Sequence, residues 1–252
     1  MLPSALPIRF FLNPGADPSL PYGAAQRRIL ASRTHEAAYR EISRWAGYVP
    51  TPLRPLPGLA SHLGAGEIWY KDEGSRFGLG SFKALGGMYG VFRVLQDLAK
   101  RETGIEDLPS SSFQERQWRQ LFSKVTVTCA SAGNHGRAVA RGAEMFGCRC
   151  VVFLPEATSP RRIRSIERHG ARTTFVDGSY DEAVVAAARE SLLKGWHVVS
   201  DTSLPGYQTI PRIIMQGYSV LAREILEEFG AGPLPTHVFL QAGVGGLAGA
   251  VA

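Results

Sequence analysis

Apolar positions along this chain alternate between short continuous runs and longer stripes at three- and four-residue spacing, the pattern of strands followed by helices. The spacing predicts a helix over 34–45, with Ala38, Ile42 and Trp45 on one face. Segment 49–57 must run extended, because each of its prolines disfavours helix in the residue before it. A short strand over 68–70 then leads to a helix over 82–100, with Leu85, Met88, Tyr89, Phe92 and Leu95 on one stripe. Further strands are predicted over 125–129, 150–154, 172–176, 197–200 and 237–241. Helices are predicted over 134–146, 160–169, 180–193 and 211–229, the second of these with proline in its first turn. Segment 109–123 is polar without a clear period, and 1–30, rich in Pro, Gly and Ala, reads as irregular.

This order predicts an α/β fold, with open, parallel-type sheets covered by helices on both faces. A chain of 252 residues can form one large domain or two small ones. It ends at Ala252 inside an apolar Gly/Ala run that should begin a helix. A helix without length to bury its face is unexpected at a natural terminus, so a truncated product is the expectation.

The net charge of +6 raises the question of nucleic acid, and the distribution answers it. The densest basic groups, Arg27-Arg28 and Arg161-Arg162-Ile163-Arg164, are not interleaved with stacking aromatics, so no nucleic-acid groove is expected. A mild pull on an anionic cofactor or substrate remains open. No apolar stretch is long enough to span a bilayer, and residues 1–17 do not read as a secretory signal. Cys129, Cys148 and Cys150 form no disulfide or metal framework, and the six histidines lack ligand spacing, so no metal is expected. Reduced, buried cysteines in a cytoplasmic protein fit this usage.

Three segments carry candidate chemistry. In 70–87 a strand end passes through a glycine-rich loop into a helix whose first turn holds Lys83. The positive end of a helix disfavours an ammonium, which suits a lysine that forms an imine. In 126–136 an apolar strand ends in small residues, and a helix begins near Asn134 with free N–H groups suited to a carboxylate. In 237–249 a strand runs into glycines whose N–H groups can wrap a phosphate. Gly243, Gly245 and Ala248 also satisfy a loose dinucleotide-binding pattern.

In this order Thr51-Pro52-Leu53, Lys71-Asp72-Glu73, Ser81-Phe82-Lys83, Ser131-Ala132-Gly133-Asn134-His135 and the glycine run resemble the fold-type-II pyridoxal-phosphate enzymes. That group includes tryptophan synthase β and the serine/threonine dehydratases. The chain is more closely similar to the diaminopropionate ammonia-lyase family. The similarity lies in Arg76-Phe77-Gly78-Leu79, Asn134-His135-Gly136-Arg137, Asp201-Thr202, Gly206-Tyr207, Ile210-Pro211, Gln216-Gly217-Tyr218 and the glycine run, and covers roughly 50–252.

The resemblance implies pyridoxal 5'-phosphate carried by Lys83, with Asn134 at its 3-hydroxyl and Gly243, Val244, Gly245 and Gly246 at its phosphate. It implies Asp201 as the base near Cα, and Ser131, Ala132, Gly133 and His135 facing a small amino-acid substrate. The implied reaction is α,β-elimination of 2,3-diaminopropionate to pyruvate and ammonia. Two subdomains are implied: a smaller α/β one over 83–205, and a larger cofactor-binding one from 1–82 and 206–252 whose C-terminal part is missing. A homodimer is implied for the full-length form.

One departure matters. The family's turn usually carries an aspartate, used on the D-isomer, where this chain has Ala132, as serine/threonine dehydratases do. Alanine takes no proton, so preference for the L-isomer is expected. A serine/threonine dehydratase-like lyase and an inactive truncated remnant remain as alternatives. So does a nicotinamide-dependent oxidoreductase, which would leave Lys83 without a role.

Overall fold

The strongest apolar runs of the chain lie side by side in one sheet in the computed structural model, which describes residues 11–17 and 19–252. The expectations for 1–10 therefore lie outside the described residues. The first elements are α1 (Ala24–Arg27), α2 (Ser32–Ile42), β1 (Leu53–Pro55), α3 (Pro57–Leu63) and β2 (Trp69–Lys71). Next come α4 (Lys83–Thr103), α5 (Arg116–Phe122), β3 (Thr126–Ala130), α6 (Asn134–Phe146) and β4 (Arg149–Pro155). The remainder is α7 (Pro160–Glu167), β5 (Arg172–Val176), α8 (Tyr180–Lys194), β6 (His197–Val198), α9 (Thr209–Phe229) and α10 (Gly246–Val251).

Strands β5-β4-β3-β6 form a parallel sheet in that order, with Cys129 opposite Val152 and Val127 opposite His197. Both faces are covered, which is why β4 reads as a continuous apolar run. Its Cys150, Val152 and Leu154 join the main core, whereas Val151 and Phe153 pack with Ala183 and Ala187 of α8. Strands β1 and β2 pair separately and antiparallel, Leu53 opposite Lys71. The proline-rich segment is extended as expected but turns at once into α3, which its pattern did not announce.

Helix α6 packs against β3 and β4 of the sheet, and α4 packs between α6 and α9. The approach is close because glycines line both seams. A Cβ on Gly86 would lie 2.4 Å from Tyr218 Cε1 and 2.7 Å from the Ile214 carbonyl, and one on Gly87 would lie 2.6 Å from Ala138 Cβ. Gly86→Ala is expected to lower unfolding free energy by about 1–3 kcal/mol, the usual cost of overpacking, measured as a lower urea midpoint.

A buried polar cluster ties the early segments to α9. The Arg76 guanidinium, 1% exposed, donates from Nη1 to Glu224 Oε1 and from Nη2 to Glu224 Oε2, each at 2.7 Å. Its Nε and Nη2 also donate to the two Glu73 oxygens at 2.8 and 2.7 Å. Lys71 Nζ pairs with Glu224 Oε2 at 2.8 Å and donates to the Thr51 carbonyl at 2.6 Å. Tyr48 donates its hydroxyl to Glu224 Oε1 at 2.9 Å. Thr51, Lys71, Glu73 and Arg76, all parts of the motifs read from the sequence, thus hold the approach to Lys83 in place.

Two expectations are corrected. Residues 237–241 form no strand: Val238 is 60% and Phe239 92% exposed, and no described segment pairs with them. An apolar run with Val238 and Phe239 supplies strand propensity, but a strand also needs a neighbour to take its hydrogen bonds. The indistinct stretch 109–123 becomes a 3₁₀ turn (Ser110–Gln114) and α5, anchored by buried Phe113, Trp118 and Phe122. No helix among the described residues is long and apolar enough to cross a membrane.

Candidate active site

The chain leaves β3 toward β4 on one side and later adds β6 on the other, so the strand order reverses between β3 and β6. In open α/β sheets ligands bind outside the carboxyl ends of the strands at such a reversal. The turn 131–133 leaves β3 there, and the segment 199–202 leaves β6 beside it.

Lys83 is the first residue of α4, its backbone N–H donating to Ser81 Oγ at 3.2 Å. Its Nζ pairs with Asp201 Oδ2, the two side chains being 23% and 13% exposed. The carboxylate is a partner that the helix-start argument did not include. Nζ also lies 5.4 Å from the ring centroids of both Phe82 and Tyr218, which meet edge-on at 5.0 Å. Lysine and aspartate, 118 positions apart, are thus brought together in an aromatic-walled corner.

Asp201 is fixed by its neighbours. The Tyr207 hydroxyl accepts the Ser200 N–H at 3.0 Å and donates to the Val198 carbonyl at 2.9 Å, clamping the segment after β6. His135, 5% exposed, has Nε2 at 2.8 Å from the Val199 carbonyl and Nδ1 at 3.8 Å from Asp201 Oδ2. Burial pushes the Asp201 carboxyl up, but His135, when it is protonated, and Lys83 pull it back, leaving it below the ordinary carboxylate range. Burial outweighs the pull of Asp201 at His135, which is held below the usual imidazole value.

The other sequence-predicted residues divide into two groups. Ser131, Ala132 and Gly133 form the turn after β3, where the Gly133 N–H donates to Ser131 Oγ at 3.3 Å. Gly133, rather than Asn134, caps α6, and Asn134 is its exposed first residue. His135 faces the protein interior behind Asp201. Gly243, Val244 and Gly245 are exposed, Gly245 in the left-handed region at φ 82°, and Gly246 opens α10. A Cβ built on Gly243 or Gly245 meets none of the described residues within 4 Å, so both face open space among them.

Tyr218 connects this run to the lysine. Its ring lies beside Lys83 Nζ, and its Cε2 is 3.5 Å from where a Gly246 Cβ would be. Its buried hydroxyl has no hydrogen-bond partner among the described residues, and burial pushes that phenol well up. Tyr207 and Tyr218 belong to sequence segments noted for resemblance, but no role for either was readable. The sequence around each gives no chemistry to read, and only the contacts assign it a place at the site.

A family model described as "Pyridoxal-phosphate dependent enzyme" matches residues 45–252. Diaminopropionate ammonia-lyase of Salmonella typhimurium is 43% identical over 206 residues, which is 81% of this chain and 50% of that protein. The Escherichia coli K12 protein of the same name is 42% identical over 207 residues, 82% of this chain and 50% of its own length. The chain thus spans about half the length of these curated relatives. The crystal structure of the Escherichia coli enzyme in apo form superposes with TM-score 0.80 at 38% identity, over 88% of this chain and 60% of that one. The processed form of threonine deaminase isoform 2 from Solanum lycopersicum shares the fold at 24% identity, with TM-score 0.63 over 88% of this chain and 52% of its own.

Proposed function

We propose, from the premise that this chain belongs to the pyridoxal-phosphate dependent enzyme family, that the protein eliminates ammonia from L-2,3-diaminopropionate, yielding pyruvate and ammonia. The observation that carries this reading is the pairing of Lys83 with Asp201 at the reversal of strand order. An amine able to attach an aldehyde and a carboxylate able to take a proton share one corner.

The residues fit the cofactor. Lys83 offers the amine, and the open space at Gly243 and Gly245 suits a phosphate. In this reading Gly243, Val244, Gly245 and Gly246 hold that phosphate, and Asn134 turns its amide to the ring hydroxyl. When bound, pyridoxal phosphate supplies a sink for the electron pair left at Cα. The chain supplies the rest: Lys83 anchors, Asp201 removes the Cα proton, and Ser131 to Gly133 receive the substrate carboxylate. The division into a smaller domain over 83–205 and a larger one from 1–82 and 206–252 belongs to this proposal. It is supported by β3 to β6 all lying within 83–205.

Ala132 supports the isomer preference, since it places no acid on the turn after β3. In the full-length holoenzyme, Asp201→Asn is expected to slow elimination from L-diaminopropionate by about 10²–10⁴-fold, the contribution of a positioned proton-transfer group. Ala132→Asp is expected to gain activity on the D-isomer. Both isomers are assayed for ammonia release. Equal wild-type rates on the two would contradict the L preference. The same alanine favours a second reading, a serine/threonine dehydratase-like lyase, and faster turnover of L-serine than of diaminopropionate in the same assay would select it.

A further inference from the structure

His135 raises a question of hydrogen placement that its surroundings answer. A carbonyl oxygen only accepts, so the 2.8 Å contact with Val199 puts the ring hydrogen on Nε2. In the neutral ring Nδ1 is then a bare lone pair. It is buried, has no hydrogen-bond partner among the described residues, and lies 3.8 Å from Asp201 Oδ2. Two acceptors that share no hydrogen cannot bond, which accounts for that separation. An unmet buried acceptor is costly to keep. It is met once Asp201 holds a proton and its carboxyl O–H closes the 3.8 Å gap to hydrogen-bond distance. Lys83 Nζ pairs with the same Oδ2.

We infer that His135 is a positioning residue for Asp201, its Nδ1 receiving the Cα proton that Asp201 removes and returning it through the same carboxyl to the departing β-amine. This rests on the reading of Asp201 as the base. The proton balance closes within the substrate. The Cα–H bond breaks and its electron pair forms the Cα–Cβ double bond. The Cβ–N pair leaves on nitrogen, which takes up the stored proton, and no oxidant or reductant is needed. Meanwhile the imidazolium is held by the Val199 carbonyl on one side and by the regenerated Asp201 carboxylate on the other.

The groups around the pair leave this transfer to it. Cys129 on β3, Tyr180 on α8, Tyr207 and Tyr218 all bear on Asp201. Burial pushes each of these thiol and phenol groups up, so none gains or loses its proton near neutrality. The charged neighbour on α4 is Lys83.

The test separates anchoring from proton transfer. His135→Gln keeps an N–H donor for Val199 but has no basic nitrogen to take a proton from Asp201. In the full-length holoenzyme it is expected to lower kcat on L-diaminopropionate by about 10²-fold, with KM little changed and a flattened kcat–pH profile. A purely structural His135 predicts kcat and profile close to wild type, and that outcome overturns the inference. Wild-type histidine side-chain ¹⁵N NMR gives a readout that needs no variant and no turnover. The expected spectrum at neutral pH shows Nε2 protonated and Nδ1 bare, with Asp201→Asn moving the Nδ1 titration to lower pH. A proton already on Nδ1 at neutral pH, or a titration indifferent to Asp201→Asn, overturns the inference even if His135→Gln fails to fold. Failure of the functional reading looks different, because the wild-type enzyme itself would then release no ammonia from diaminopropionate.

Discussion

Lys83→Arg is expected to leave a folded protein that no longer attaches pyridoxal phosphate covalently, with elimination slowed by at least about 10²–10⁴-fold. Arginine is the informative replacement because it isolates chemistry from charge. A guanidinium at position 83 can still pair with Asp201, so the carboxylate is not stranded in a corner where it is only 13% exposed. What it lacks is an amine that condenses with an aldehyde. Lys83→Ala removes the amine and the charge together, and a loss of activity there would mix two causes. Activity of Lys83→Arg within a few-fold of wild type, in an ammonia-release assay, would remove the lysine from the mechanism.

Truncating Glu224 is the change expected to cost most stability, about 3–5 kcal/mol for Glu224→Ala, because one partner of a buried ion cluster is removed. The carboxylate receives Arg76 through both oxygens and also receives Lys71, Tyr48 and Thr51. Without it, Lys71 and Arg76 hold two positive charges against Glu73 alone. Tyr48→Phe removes a single hydrogen bond and should cost only about 0.5–1.5 kcal/mol. Urea denaturation of the pair of variants checks the ordering, and equal losses would show that the charges do not act as a unit. The same cluster sets an acid limit. Burial raises the Glu224 carboxyl, but Arg76 and Lys71 more than offset this and leave it below its ordinary value. A depressed carboxyl contributes stability that is fully present above its unfolded value, near about 4.3, and is lost as pH falls through the folded one.

The parallel sheet was readable because burial on both faces writes an uninterrupted apolar run. That holds for β4, and helix α6 has the bounds its stripe predicts. Elements anchored by few residues were not readable. Helix α5 rests on Trp118 and Phe122 within a polar stretch, and α3 follows prolines that argued only for extension. The run 237–241 shows the opposite error, an apolar segment with no described partner strand. At the site, the turns bearing Lys83, Asn134 and the glycines were legible as loops running into helix starts, although only the Asn134 turn follows a strand directly. Which side chains meet was not, since Lys83 and Asp201 lie 118 positions apart and Tyr218 comes from a third element. Thr51, Lys71, Glu73 and Arg76 appeared only as motif letters. Glu224, the partner that Thr51, Lys71 and Arg76 share, sits in α9 as an unremarked acid, and only the fold shows that these residues and Glu73 form one cluster.

The assignment of Lys83 as the cofactor lysine is tested most directly by trapping. The full-length protein is incubated with pyridoxal phosphate, reduced with borohydride, digested and mapped by mass spectrometry. The expected result is a phosphopyridoxyl group on the peptide containing Lys83, absent from the Lys83→Ala variant. A label on another lysine, or no label at saturating cofactor, would contradict it.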